Sequence, residues 1–151
     1  MSDFGELCPL FNTGVYQELL FPNIDMNGIT ACGNALVGTL TASALADFTF
    51  GRTVVVTAAW VRKVERNSED CILRVAHHSS RLAAGTIMAS LTVSVTLAGH
   101  QLGYGYIPMV TSGTNLPMTF TSAAVLGFSI ATGTATITAG HFDLMIRYRE
   151  K

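Results

Sequence analysis

Residues 82–142 contain no Asp, Glu, Lys or Arg over sixty-one consecutive positions. They are mainly Gly, Ala, Ser, Thr and apolar residues, in an order that alternates between apolar and small polar side chains. A segment that stays disordered in water needs a much higher density of charge than this. The stretch is therefore predicted to form β-sheet whose surface is largely covered.

The whole chain shares this shortage of charge. Of its 151 residues, 49% are hydrophobic and 13% are charged, whereas charged residues usually make up about 25%. The length predicts one domain with a real core. Nine basic residues oppose ten acidic ones, so no basic surface for nucleic acid is expected. Exposed apolar surface would make a single copy poorly soluble, and a homo-oligomer, most simply a trimer, is predicted.

The sequence carries no sign of export or membrane insertion. Residues 1–11, MSDFGELCPLF, have acidic residues where a signal peptide would have positive charge and an apolar run. No apolar run of about 18 residues is present, so no transmembrane helix is expected. The widely spaced Cys8, Cys32 and Cys71 are predicted to be free thiols of a protein made in a reducing compartment such as the cytoplasm.

Period-two alternation predicts short strands and no helix of more than one turn. Spacing near 8–12 residues between strands predicts an all-β fold, either a β-sandwich or a barrel. Of these we expect a jelly-roll-like two-sheet β-sandwich over residues 29–151. One or two short strands are predicted within 29–41, and the further predicted strands are 53–64, 71–77, 86–97, 101–107, 118–121, 125–130, 134–139 and 141–148.

Three side-chain placements follow from these strands. Residues 60–74 are predicted to form a β-hairpin with a polar turn at 67–70, and its charged end, 62–66, should emerge into solvent. Trp60 is assigned to the core. In the final strand the predicted inward residues are Phe142, Leu144, Ile146 and Tyr148, and the predicted outward residues are Asp143, Met145, Arg147 and Arg149.

Residues 1–28 are predicted to be an extended N-terminal arm. Pro9 and Pro22 interrupt this segment, yet it is rich in apolar side chains that need a surface to lie on. The expected partner-binding residues of the arm are Phe4, Leu7, Leu10, Phe11 and Tyr16. A row of threonines on one face of a late strand is the expected oligomer interface, and it comprises Thr132, Thr134, Thr136 and Thr138.

No motif points to catalysis or to a metal. His77 and His78 are adjacent, and adjacent residues of a strand point to opposite faces, so they should not share one ion. His100 and His141 lie beside glycine and are interpreted as structural. The chain lacks a Gly-x-Ser-x-Gly nucleophile elbow and has few carboxylates. A non-enzyme without cofactor or metal is predicted.

The chain combines an all-β pattern, an irregular start and a final strand with the sequence HFDLMIRYRE. In these features it resembles the jelly-roll cement or decoration proteins of tailed bacteriophage capsids. This resemblance implies a structural protein of the virion, a trimer at a capsid symmetry axis that binds the major capsid protein and joins neighbouring subunits. The alternative is a non-catalytic β-sandwich binding module, for carbohydrate or a protein ligand, that acts as a free oligomer.

Overall fold

A computed structural model describes residues 15–25, 48–80, 83, 85–95, 105–111, 115–131 and 138–151. Within these ranges the chain forms nine β-strands and no helix, which confirms the predicted all-β sandwich. The strands are β1 (Gln17–Asp25), β2 (Val54–Glu65), β3 (Cys71–His78), β4 (Gly85–Val93), β5 (Ile107–Pro108), β6 (Val110–Thr111), β7 (Met118–Phe120), β8 (Val125–Ala131) and β9 (His141–Glu150).

The strands form two antiparallel sheets. In sheet A the order is β1-β9-β2-β5, and β7 pairs with another part of β2; in sheet B the order is β6-β4-β3-β8. The chain passes from one sheet to the other after β2, β4, β5, β6, β7 and β8, and its first and last described strands are neighbours. Such crossing between two packed sheets is found in β-sandwiches with Greek-key connections.

The core lies between the two sheets and is strongly apolar. Alternate residues of β9 point into it, so that Phe142, Leu144 and Ile146 are fully buried and Tyr148 is nearly so, as predicted. Leu73 and Val75 of β3 face them from sheet B, together with Leu126, Phe128 and Ile130 of β8, and Phe120 of β7 in sheet A belongs to the same core. At one end of the core an edge-to-face series of rings links Phe21, Phe48, Phe50 and Phe120.

The predicted boundary of the arm is wrong over residues 17–25. These residues form β1, which pairs with β9 from Gln17↔Tyr148 to Asp25↔His141. A register shift follows Phe21, where Pro22 interrupts the strand and Asn23 has a φ of 52°. The sandwich therefore includes Gln17, and residues 1–14 and 26–28 of the predicted arm lie outside the described residues.

The hairpin predicted over residues 60–74 is not formed. β2 pairs with β9, β5 and β7, whereas β3 pairs with β4 and β8, so the polar turn joins two different sheets. Lys63, predicted to be in solvent, is buried and its Nζ donates to the carbonyl oxygen of Ser94, 3.2 Å away. Burial lowers the pKa of Lys63. The Lys63 side chain thus lies inside the end of the sandwich and links β2 of sheet A to the residue that follows β4 of sheet B.

The strand predicted at 86–97 is shorter and contains a bulge. Val75 pairs with Ala89 and Ala76 pairs with Ile87, so Met88 is an extra residue in β4. The bulge turns Met88 into the core, although simple alternation assigns it to the opposite face. β4 ends at Val93. Of the strands predicted at 101–107 and 134–139, the first is seen only from Ile107 and the second lies mostly outside the described residues.

Candidate interaction surface

The face of sheet A that points away from the core carries an apolar row across four of its five strands, β1, β9, β2 and β5. Cross-strand pairing places Leu20 of β1 beside Met145 of β9, Met145 beside Trp60 of β2, and Trp60 beside Pro108 of β5. With strands about 4.8 Å apart, these four residues form a continuous band, here called the apolar stripe. Leu20 and Pro108 are exposed and Met145 and Trp60 are half-buried. A contacting surface would therefore meet apolar side chains across the full width of the sheet.

An ion pair borders the stripe on each side. On one side Arg147 of β9 donates to Glu18 of β1, with Nη2 and Oε1 2.8 Å apart. On the other, Arg62 donates to Asp143 through Nε at 3.0 Å and Nη2 at 2.5 Å. Asp143 also accepts from the backbone N–H of Asn23, 2.7 Å away. Each arginine beside the stripe is thus matched by a carboxylate of the same chain.

Both arginines also stack on aromatic rings. The guanidinium of Arg147 lies 4.7 Å from the ring centroid of Trp60 and 6.0 Å from that of Tyr16. That of Arg62 lies 5.1 Å from the ring of Tyr106. Tyr, Trp, Met and Arg are the residue types enriched in protein–protein interfaces, where an apolar centre is surrounded by a polar rim. The outer face of sheet A has this composition and arrangement.

Of two sequence-based assignments to this face, that of Trp60 is wrong and that of Asp143 is confirmed. Trp60 is not in the core, because its neighbours Ala59 and Val61 occupy the inward positions and leave Trp60 on the outer face. The alternation of residues along β2 in the sequence already places Trp60 on the face opposite to Ala59 and Val61. Asp143 does face outward as predicted, but it is buried because Arg62 and the bulge of β1 cover it. The residues that bury Asp143 belong to β1 and β2, which are remote from it in sequence.

The structure reaches two of the predicted partner-contact residues. Tyr16, assigned to the arm, is exposed just before β1 and stacks on Arg147. Thr138 is exposed, and its backbone N–H donates to the hydroxyl of Ser68 at 3.1 Å, so it lies beside the turn between β2 and β3. The other predicted residues lie outside the described parts of the chain; they are Phe4, Leu7, Leu10, Phe11, Thr132, Thr134 and Thr136.

The two adjacent histidines point to opposite faces of sheet B. His77 is on the core side, with its ring edge-on to Phe120 and 4.6 Å between ring centroids. His78 is buried on the other side, where its Nδ1 lies 3.0 Å from the carbonyl oxygen of Ala83. Within the described ranges no group of three or more His, Cys, Asp and Glu residues is arranged to hold a metal ion.

The stability of the fold is expected to decrease on acidification because of His77. Burial, and then the neighbouring His78, lower the pKa of His77 below its usual 6.5. The unfolded chain therefore binds this proton more readily, so stability is full above about pH 6.5 and falls as the pH drops through the lowered pKa. The measurement is denaturant unfolding of the wild type and His77→Gln between pH 7 and 5. A wild-type decrease as shallow as that of the variant would contradict the assignment.

Two further titratable residues, Cys71 and His141, have surroundings that indicate a structural role. Cys71 is a free, buried thiol, and burial raises its pKa to about 12, which makes it unreactive. His141, interpreted from the sequence as structural, begins β9 as predicted, and there its Nδ1 contacts Glu65 and its Nε2 lies 3.7 Å from Asp25. His141 thus joins the ends of three strands. His100, Cys8 and Cys32 are outside the described residues.

No helix that could cross a membrane occurs in the part of the chain that the structure describes. Comparison of the chain with family models, with curated proteins and with solved structures found no match.

Proposed function

We propose that the protein is a structural component of a virus particle, a capsid decoration or cement protein. It oligomerises and binds the major capsid protein, and it holds neighbouring capsid subunits together without catalysing a reaction. Virus capsid proteins are among those that use the jelly-roll architecture. In this proposal the protein acts in the virion, where its N-terminal segment and the faces of its sheets adhere to capsid subunits.

The observation that carries this proposal is the way the N-terminal segment joins the sandwich. β1 is the edge strand of sheet A, and Val15 and Tyr16 immediately before it are exposed. Fourteen further residues precede them, including Phe4, Leu7, Leu10 and Phe11. An apolar segment attached at an exposed edge can reach a neighbouring protein, because 14 extended residues span up to about 46–50 Å.

The energy available to such a segment is large enough to matter. Apolar area removed from water contributes about 25 cal/mol per Å², so about 300 Å² contributes roughly 7 kcal/mol before the cost of ordering the segment. Several segments in one oligomer then act together, since the first contact raises the effective concentration of the rest. The combined contacts of several N-terminal segments would hold neighbouring capsid subunits together.

Deletion of residues 1–14 tests this role directly. The truncated chain keeps β1 and should retain its unfolding midpoint, but it should no longer co-sediment with capsids purified from the encoding virus and stripped of the protein. A length-matched variant, with Phe4, Leu7, Leu10 and Phe11 all changed to Ser, should also lose binding. If the intact chain is absent from purified particles and does not bind them, the virion role is rejected. If both variants bind as well as the wild type, the segment is not the adhesive element.

A non-catalytic binding module is the second candidate, and the position of Trp60 favours it. A tryptophan on an outer sheet face can stack against a sugar ring. Here, however, Arg147 lies over the Trp60 ring and is held there by Glu18. Saturable binding of a soluble oligosaccharide that is lost in Trp60→Ala, together with no particle binding, would establish this candidate instead.

A further inference from the structure

Tyr16, immediately before β1, lies on the outer face of sheet A that carries the apolar stripe. It is 54% exposed, and its ring is contacted by Arg147, which also lies over Trp60 on this face. Leu20, the first residue of the stripe, follows four positions later and is 47% exposed. Residues 1–14 are therefore attached to the sandwich beside an exposed apolar row, and such rows often mark contact sites.

The composition of residues 1–14 suits this row. The segment contains no Lys or Arg, and its large apolar side chains include those of Phe4, Leu7, Leu10 and Phe11. The stripe also presents four apolar side chains. Burial of the two sets against each other would remove apolar area from water, which is the main source of favourable free energy in contacts of this kind.

The segment is long enough to cover the stripe. From Tyr16 back to the level of Leu20 is four residues along β1, about 13 Å, and the four strands of the stripe span about 14 Å. Fourteen extended residues reach about 46–50 Å. Residues 1–14 can therefore reverse direction after leaving β1 and still cross the sheet as far as β5.

Covalent attachment favours this segment over any other occupant of the stripe. A segment tethered beside its site is present there at an effective concentration on the order of millimolar. A second copy of the chain, or another protein, must bind from dilute solution. A contact too weak to hold two molecules together is therefore sufficient within one chain, and its loss should change the stability of the sandwich little.

We propose that in the free protein residues 1–14 lie across the apolar stripe of their own chain. Their large apolar side chains then cover Trp60 and its neighbours in the row. The proposal concerns the free protein, so it holds or fails independently of a role in the virion. In such a role the same residues would leave the stripe when a capsid subunit offers a more favourable surface.

Trp60 reports on this contact directly, because it is the one tryptophan of the chain and belongs to the stripe. Deletion of residues 1–14 should shift its fluorescence emission to longer wavelength. The acrylamide quenching constant should rise at least about twofold, since a segment that is docked most of the time shields the ring most of the time. The variant with Phe4, Leu7, Leu10 and Phe11 changed to Ser leaves the sandwich intact and should behave like the deletion.

Leu20→Glu tests the stripe side of the contact. It places a charge in the row two strands from Trp60, about 10 Å away, so it should act on the indole only through the segment. In the full chain it should expose Trp60 as the deletion does, and in the chain without residues 1–14 it should change nothing. Val64→Glu is the matched control, because Val64 is also on β2 and 41% exposed but lies outside the stripe.

Circular dichroism of each variant checks that the sheets are retained. Equal emission and quenching of Trp60 in the intact and truncated chains would overturn the proposal. The protection should persist over about a hundredfold dilution, since a contact within one chain does not depend on concentration; protection lost on dilution would assign the stripe to a second copy instead. An effect of Leu20→Glu that is as large in the truncated chain, or is matched by Val64→Glu, would also reject the contact.

Discussion

Replacing Phe120 by alanine is expected to lower the free energy of unfolding by about 3–5 kcal/mol, the range for a large aromatic residue removed from a core. Phe120 is fully buried in β7 and packs edge-on against Phe50, with 5.4 Å between ring centroids, and against His77. Domains of this size are stable by about 5–15 kcal/mol. The substitution should therefore leave a marginally folded protein, which denaturant unfolding will show as a much lower midpoint.

The comparison with smaller changes makes the Phe120 prediction specific. Phe120→Leu keeps part of the buried volume and should cost clearly less than the alanine variant. Val64→Ala removes an exposed side chain and should change stability by no more than about 0.5 kcal/mol. A loss below about 1 kcal/mol for Phe120→Ala would mean that the ring is not packed as described, since cavities in apolar cores are costly.

Adding one methyl group at Gly127 is expected to destabilise the fold by about 1–3 kcal/mol, the usual cost of overpacking. A Cβ at this position would lie 2.7 Å from Nε2 of His78. The ring has little room to move, because it is buried and its Nδ1 is held at the carbonyl oxygen of Ala83. Gly85 lies against the same ring, with a Cβ position 2.6 Å from Cε1. Gly127→Ala and Gly85→Ala should therefore behave alike in thermal or denaturant unfolding.

A double-mutant cycle identifies His78 as the cause. In His78→Ala the space beside Gly127 is open, so the added methyl group should cost little there, and the two substitutions should couple by about 0.5–3 kcal/mol. Gly105→Ala is the matched control, because nothing lies within 4 Å of its Cβ position. If Gly127→Ala is as harmful in His78→Ala as in the wild type, the clash with the ring is not the reason.

The sequence predicted the local features of the fold well. β2, β3, β8 and β9 were placed to within three residues, because each has β-branched or aromatic residues in regular alternation between turn signals. The inward residues of β9 were also assigned correctly. Alternation expresses one physical requirement, an apolar face toward a core, and it is visible wherever the strand is regular.

The features that sequence reasoning missed depend on contacts between remote segments. Nothing local distinguishes a turn that joins paired strands from one that joins two sheets, so the sequence of residues 60–74 predicts a hairpin that does not form. The sequence of β1 resembles an irregular arm because Pro22 interrupts it, whereas its pairing depends on β9, 116 to 131 residues later. The apolar stripe likewise takes one residue from each of four strands. Its assembly needs the strand order, which alternation does not contain.

The central position of β9 in sheet A has a consequence for synthesis and folding. Gln17 and Tyr148 are 131 residues apart yet share a hydrogen bond, and β9 separates β1 from β2 in the sheet. While a ribosome is making the chain, β1 and β2 emerge long before the strand that joins them. Sheet B does not contain β9, but until β9 is made its core-facing side cannot be covered by a complete sheet A. Such late, long-range pairing favours slow folding and exposure to aggregation. Because sheet A can be completed only after β9 has been made, a chaperone would be most useful during translation. A chain that stops before β9 should be recovered as insoluble material.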